Sequence, residues 1–304
     1  MPTKSPTRPK PDRKSHKPAP AQIVTSDALA KLPWLLHGFS MRPGGGSKVY
    51  GKPSLNLGFT THDTRANVER NRETFLKALG VGKSNMQLVT LRQVHSDIIH
   101  CVTAATGASQ KATLAGDGLI TKTPGLLLAV LTADCLPVIL VDTKLRAVGV
   151  FHAGWRGTLG RIVEKGVGEM HRWFGSEPKN LTAAIGPGIR GCCFEVGDEV
   201  REKFGARFSY ADELFREHAE TNEIHEKYPL LFLTARAPGH SELPKKIFLD
   251  LVEANRRQLL EVGVPARNIS ASDLCTSCRT DLLFSHRKEK GMTGRMMGVV
   301  GMRG

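Results

Sequence analysis

The chain has 304 residues, 40% of them hydrophobic and 24% charged, a balance that suits a protein with a substantial core. No apolar run is long enough to cross a bilayer as a helix; the longest, Leu126–Leu131, gives way to Thr132, Asp134 and Cys135. The net charge of +14 invites a nucleic-acid reading, but part of it lies in residues 1–20, where Lys4, Arg8, Lys10, Arg13, Lys14 and Lys17 face only Asp12.

In chain order, residues 1–22 are predicted as a disordered basic tail, rich in Pro and Lys and without periodic apolar residues. No apolar core follows the basic residues, so they do not read as a secretory signal. With no export signal, the six cysteines read as reduced thiols and the location as cytoplasmic. One domain over 23–304 follows. Asp63 or Thr64 can cap a helix whose Val68, Phe75, Leu76 and Leu79 share one face, ending at Gly80. Leu126–Thr132, Pro137–Val141 and Ala147–Phe151 are short, apolar and rich in β-branched residues, and read as buried strands. A helix is predicted from about Thr158, with Val163, Val167, Met170 and Phe174 on one stripe. The charged run Asp212–Lys227 reads as a solvated helix. Phe248, Leu251, Val252, Asn255, Leu259 and Val262 form another helical stripe ending at Gly263, and Met296–Val300 a closing strand. Helix and strand patterns alternate, which is the mark of the α/β class.

Three features carry chemistry. Cys135 lies between two apolar strands in Thr132–Pro137, and strand ends in α/β sheets face crevices. His152 ends a strand that turns through Ala153–Gly157 into a helix, whose start offers backbone N–H groups to an anion beside the Arg156 fork. His95 sits among polar residues in Gln93–Asp97. One thiolate and two imidazoles suit zinc and leave a fourth coordination position open. Spacing alone favours a buried structural cysteine and two surface histidines.

The motifs HGFSMRPGGGS (37–47), SLNLG (54–58), QVHSD (93–97), GDGLIT (116–121), TADCLPV (132–138), HAGWRGT (152–158), IGPGI (185–189), CTSC (275–278), FSHR (284–287) and TGRM (293–296) occur in order. Together they resemble the family variously called YfiH-like, multicopper polyphenol oxidase (laccase) or purine nucleoside phosphorylase proteins. Gly116 and His286 depart from that family's usual Ala and Tyr. The resemblance implies a four-layer α/β/β/α domain with two mixed sheets face to face, and a metal held by His95, Cys135 and His152. Zinc is the expected ion, with copper possible. It further implies phosphorolysis of adenosine, inosine, guanosine and methylthioadenosine, giving base and ribose 1-phosphate, with adenosine deamination beside it.

On this reading Cys135, His152 and Arg156 are catalytic. Arg42, beside Gly44–Gly46, is a second phosphate holder; Asp134 orients a ligand imidazole or shapes a turn; His37 and Asn56 line the pocket. The expected partners are purine nucleosides and phosphate, with no membrane. No nucleic-acid partner is expected, although the basic tail leaves one open, and the oligomeric state is left open. A thiol hydrolase with Cys135 as nucleophile and His152 as base, editing cell-wall precursors, is the alternative. Copper-dependent polyphenol oxidation ranks below it, because a laccase needs several copper centres and many histidines. His218-Ala219-Glu220 with Cys275 and Cys278 imitates a nucleobase deaminase signature, but Leu274 stands where that signature has Pro.

Overall fold

The computed structural model describes residues 20–81, 86–103, 114–219 and 245–304. The first large sheet takes β1 (Ile23–Val24), β2 (Leu35–Ser40), β14 (Met296–Met302), β6 (Leu126–Thr132) and β3 (Gln87–Val89) in that spatial order. The second runs β13 (Ile269–Ala271), β9 (Leu181–Ile185), β7 (Leu136–Asp142), β8 (Ala147–Ala153), β5 (Gly118–Thr121) and β4 (Ile99–Cys101). Both are mixed: β3 runs parallel to β6, β13 to β9 and β4 to β5, while the other pairs are antiparallel.

Side-chain alternation turns these sheets into layers. In β6, Leu126, Leu128 and Val130 meet Ile139, Val141, Val148 and Val150 of the facing sheet. Leu127 and Ala129 point the other way, onto Phe75, Leu76 and Leu79 at α2 (Arg65–Ala78). In β7, Val138 and Leu140 pack outward against α4 (Ile162–Phe174) and α6 (Leu251–Glu261). The result is the expected α/β/β/α order. It also explains why β6, β7 and β8 read as unbroken apolar runs, since both faces of each are covered.

Four expectations change. A third, antiparallel sheet of β10 (Glu195–Val196), β12 (Lys245–Leu249) and β11 (Phe215–Ala219) joins the two expected. Part of the charged run read as a helix is β11: Phe215 anchors it in the core, and pairing with β12 leaves Arg216, Glu217 and His218 exposed. Residues 220–227 of that run lie outside the described residues. The helix expected from Thr158 is two helices, α3 (Trp155–Leu159) and α4, because Arg161 takes a left-handed φ of 62° between them. Phe248 belongs to β12, and Asp250 starts α6 by accepting the Glu253 N–H at 3.0 Å. α2 is capped by Thr64, as read. At the N-terminus, Gln22, counted with the tail, already accepts the Met41 N–H at 3.0 Å, and residues 1–19 lie outside the described residues.

Phe151, fully buried in β8, fills a socket made by absent side chains. A Cβ on Gly118, Gly149 or Gly166 would come within 2.8, 2.9 or 2.5 Å of its ring. Gly166→Ala is therefore expected to lower stability by about 1–3 kcal/mol through overpacking. Gly168→Ala on the same helix, where a Cβ meets nothing within 4 Å, should raise it by about 0.5–1 kcal/mol. Urea midpoints of the two variants, at unchanged m value, check the contrast.

Candidate metal centre

Three connections at one end of the facing sheets deliver the three donors. His152 is the penultimate residue of β8. Cys135 lies between β6 and β7, after Asp134 with a φ of 86°. His95 lies in the loop between β3 and β4, with a φ of 59°. Left-handed backbone at two non-glycine positions is strain that the surroundings must hold in place. At His95 the holder is Asp117, whose buried carboxylate accepts the N–H groups of Val94, His95 and Ser96 at 3.2, 3.1 and 2.6 Å and the Ser96 hydroxyl at 2.8 Å. The Gln93 side chain clips the same loop to Leu131 through two 2.8 Å hydrogen bonds.

Asp117 also stands 2.8 Å from Nδ1 of His152, leaving Nε2 of that ring for the cluster. Potential ligand atoms of His95, Cys135 and His152 lie within 4.8 Å of one another, and the two imidazoles meet edge to face at 5.0 Å. Gly154 makes room for this: a Cβ there would stand 2.8 Å from the Cys135 sulfur and 3.5 Å from His95 Cδ2. Two imidazoles and a thiol within reach of one point are a donor set suited to zinc, with one position left for a reactant. The metal-free electrostatics are unusual. Burial alone would raise the Cys135 thiol, but the charge and hydrogen bond of His152, helped by His95, bring it down to about 6. Burial would lower His152, but the Cys135 charge and the Asp117 hydrogen bond raise it to about 9. Burial of Asp117 is likewise outweighed by His152 and Ser96, which hold it at about 2.

The three donors line a cavity of about 630 Å³, a size that fits a nucleoside-scale ligand. Arg156 reaches its wall, stacked 4.3 Å over Trp155. The helix that carries it, α3, is a single short turn. Asp134 lines the cavity too, but its carboxylate accepts from Thr276, Ser285 and the Arg287 amide at 2.6–2.7 Å rather than from an imidazole. Imidazole orientation belongs to Asp117 instead.

The remaining substrate residues lie elsewhere. Arg42 donates to Thr280 O, Glu289 and Tyr50 O at 2.7–2.8 Å and borders a separate cavity, so its fork holds loops together. His37 is buried in β2, where Nε2 accepts the Ser26 N–H at 3.0 Å. Asn56 is buried behind the wall and accepts the amides of Gly58 and Arg295. In Arg42's place the cavity presents Arg287 and Arg295, with His286 and Phe59 beside them. The two arginines and Asp117 lie inside the motifs FSHR, TGRM and GDGLIT, which was the signal available for them.

With the metal stripped, Cys135 should alkylate as a thiolate: protonated and slow below about pH 6, charged and fast above it. Iodoacetamide rates on the Cys135 peptide, followed by mass spectrometry across pH 4–9 (roughly), check this. A midpoint near the ordinary thiol value of about 8.5 would refute the pairing.

The comparisons with known proteins agree with this architecture. Residues 36–303 match the family model described as multi-copper polyphenol oxidoreductase laccase. Over 271 residues the chain is 36% identical to purine nucleoside phosphorylase YlmD of Geobacillus stearothermophilus, covering 88% of this chain and 89% of that protein. It is 37% identical over 246 residues to adenosine deaminase RL5 from an unknown prokaryotic organism, covering 79% and 84%. The crystal structure of Bacillus licheniformis hypothetical protein YfiH superposes with a TM-score of 0.78 at 33% identity, covering 94% of this chain and 97% of that one. A match across nearly the whole described domain, in sequence and in fold, makes this chain a member of the multi-copper polyphenol oxidoreductase laccase family, the YfiH-like proteins.

Proposed function

We propose that the chain is a zinc-dependent purine nucleoside phosphorylase with adenosine deaminase activity. One observation carries the reading: a three-donor cluster opens onto the same cavity wall as three arginines. The names of its relatives, purine nucleoside phosphorylase and adenosine deaminase, support it. His95, Cys135 and His152 would hold the ion, which supplies Lewis acidity and an activated phosphate or water oxygen when bound. Copper is the other ion this donor set accepts. A multi-copper oxidase needs several centres, and among the described residues histidines meet cysteine in one group only.

The protein's own groups do the rest. Asp117 holds Nδ1 of His152, so that the Nε2 lone pair would face the ion. Arg156, Arg287 and Arg295 line the cavity and would turn planar donors to a phosphate dianion, Arg287 and Arg295 each keeping Nη1 on backbone carbonyls. In phosphorolysis a phosphate oxygen bonds to C1′ as the C1′–N9 bond breaks, and the electron pair leaves on the purine. The base therefore needs a donor, and His286 stands on the cavity wall to serve. Phe59, about half exposed on that wall with Arg72 4.4 Å from its ring centre, adds apolar surface beside it.

A second reading has its own support. Cys135, His152 and Asp117 form a thiolate, imidazolium and carboxylate series, as a thiol hydrolase would use. His95 separates the two readings, since a hydrolase built on that series has no need of it. His95→Ala and Cys135→Ala should each lose the bound ion and cut phosphorolysis of adenosine by about 100-fold or more. Free base and ribose 1-phosphate, followed with and without phosphate, give the measurement. If Cys135→Ala retains full phosphorolysis while metal-loaded, the assignment is wrong. Amide hydrolysis surviving in His95→Ala favours the thiol mechanism.

The location proposed is cytoplasmic, and no helix among the described residues is long and apolar enough to cross a membrane. The domain proposed to carry turnover follows the basic tail. Removing residues 1–19 is expected to leave kcat for small nucleosides within about twofold, since that Pro- and Lys-rich segment carries none of the residues assigned to the centre.

A further inference from the structure

Away from the candidate centre, Cys192, Cys193, Cys275 and Cys278 bring four sulfurs within 4.8 Å of one another. The first pair lies in the turn between β9 and β10, the second in the segment between β13 and β14. Sγ of Cys278 stands 3.4 Å from that of Cys193 and 3.7 Å from that of Cys192. A tetrahedron of thiolates about 2.3 Å from zinc has edges of about 3.8 Å. A disulfide needs about 2 Å, and all four cysteines are free.

The local setting is that of a ligand cluster rather than of core packing. Cys275 is buried, and the backbone N–H groups of Arg190, Cys278 and Ser277 act on its sulfur to lower the thiol against the effect of burial. Two of those amides come from its own Cys-x-x-Cys turn. Such a cradle suits a sulfur carrying charge. Apolar packing explains Cys275 but not Cys192 and Cys278, which are exposed.

We propose that these four thiolates bind one structural zinc ion, distinct from the His95–Cys135–His152 centre. The protein supplies all four ligands and leaves no open position, which marks a structural rather than a catalytic ion. Each thiol loses its proton to solvent as the ion binds. The site joins two segments that build the cavity. Phe194 lies just past Cys193, and Thr276, which hydrogen-bonds Asp134 at 2.6 Å, lies between the ligands of the other segment. The backbones already meet in a bridge between Gly188 and Cys275 and a 3.1 Å hydrogen bond from the Thr276 N–H to Gly188 O. The ion would lock this meeting and fix the spacing of Phe194 and Arg287 across the cavity wall.

The test counts metal in the full chain, reduced, stripped, reconstituted with zinc and freed of excess ion. Wild type should retain about two equivalents per chain, and Cys278→Ser and Cys192→Ser about one each. Both substitutions are at exposed positions, and circular dichroism confirms that the variants fold. His95→Ala should also fall to about one equivalent. Cobalt loaded into that variant should show intense thiolate-to-metal charge-transfer absorption that is absent once Cys278→Ser is added. The proposal is overturned if Cys278→Ser retains as much zinc as wild type. It is also overturned if intact mass shows that the reconstituted protein carries a disulfide among the four in place of the ion. Loss of ion from His95→Ala alone would leave the candidate centre standing and remove this one.

Discussion

The carboxylate of Asp117, buried at the start of β5, accepts three consecutive backbone amides, a serine hydroxyl and the imidazole of His152. A lone buried anion would be costly, and these donors offset that cost while fixing two separate parts of the chain to one point. On one side they hold the His95 loop in a left-handed turn; on the other they fix the tautomer and aim of His152. Two of the three donors are therefore positioned by one carboxylate. Such advance ordering removes reorganisation from the reacting state.

The sheets place these parts. β5 and β8 are neighbours, so Asp117 and His152 meet across a ladder, with Gly118 opposite Phe151 in register. Cys135 arrives by the tight connection from one sheet to the other, and Gly154 gives its sulfur the space to approach. The cavity thus draws on the ends of both sheets and on the connection between β13 and β14 that carries Arg287 and Arg295. Two of its features, a strained backbone at His95 and at Asp134, occur beside the donors and at few other non-glycine positions among the described residues. That is where strain held by surrounding hydrogen bonds is expected.

Much of this was legible in the residues. Strands covered on both faces declare themselves as continuous apolar runs, and β6, β7 and β8 appeared within a residue or two of their ends. β11 did not, because an exposed strand of Arg216, Glu217 and His218 carries no apolar period beyond Phe215. The break between α3 and α4 turns on a left-handed arginine, which has no compositional signal. At the centre, adjacency misled: Asp134 precedes Cys135 in the chain, yet its side chain faces away to Thr276 and Ser285. Asp117 is remote in sequence and acts through backbone amides, which a side-chain inventory does not count. Arg42 looked free beside three glycines, and only the folded loops show Glu289 and Phe284 engaging it.

β14 occupies an interior place in the five-stranded sheet, between β2 and β6, though it is the last strand of the chain. During synthesis, β2 and β6 emerge long before the strand that separates them, and each displays an unpaired edge until residue 302 has left the ribosome. Premature pairing of those two edges would exclude β14 and put the chain in a trap. Insertion of β14 between them is therefore the step that completes this sheet, and a late one.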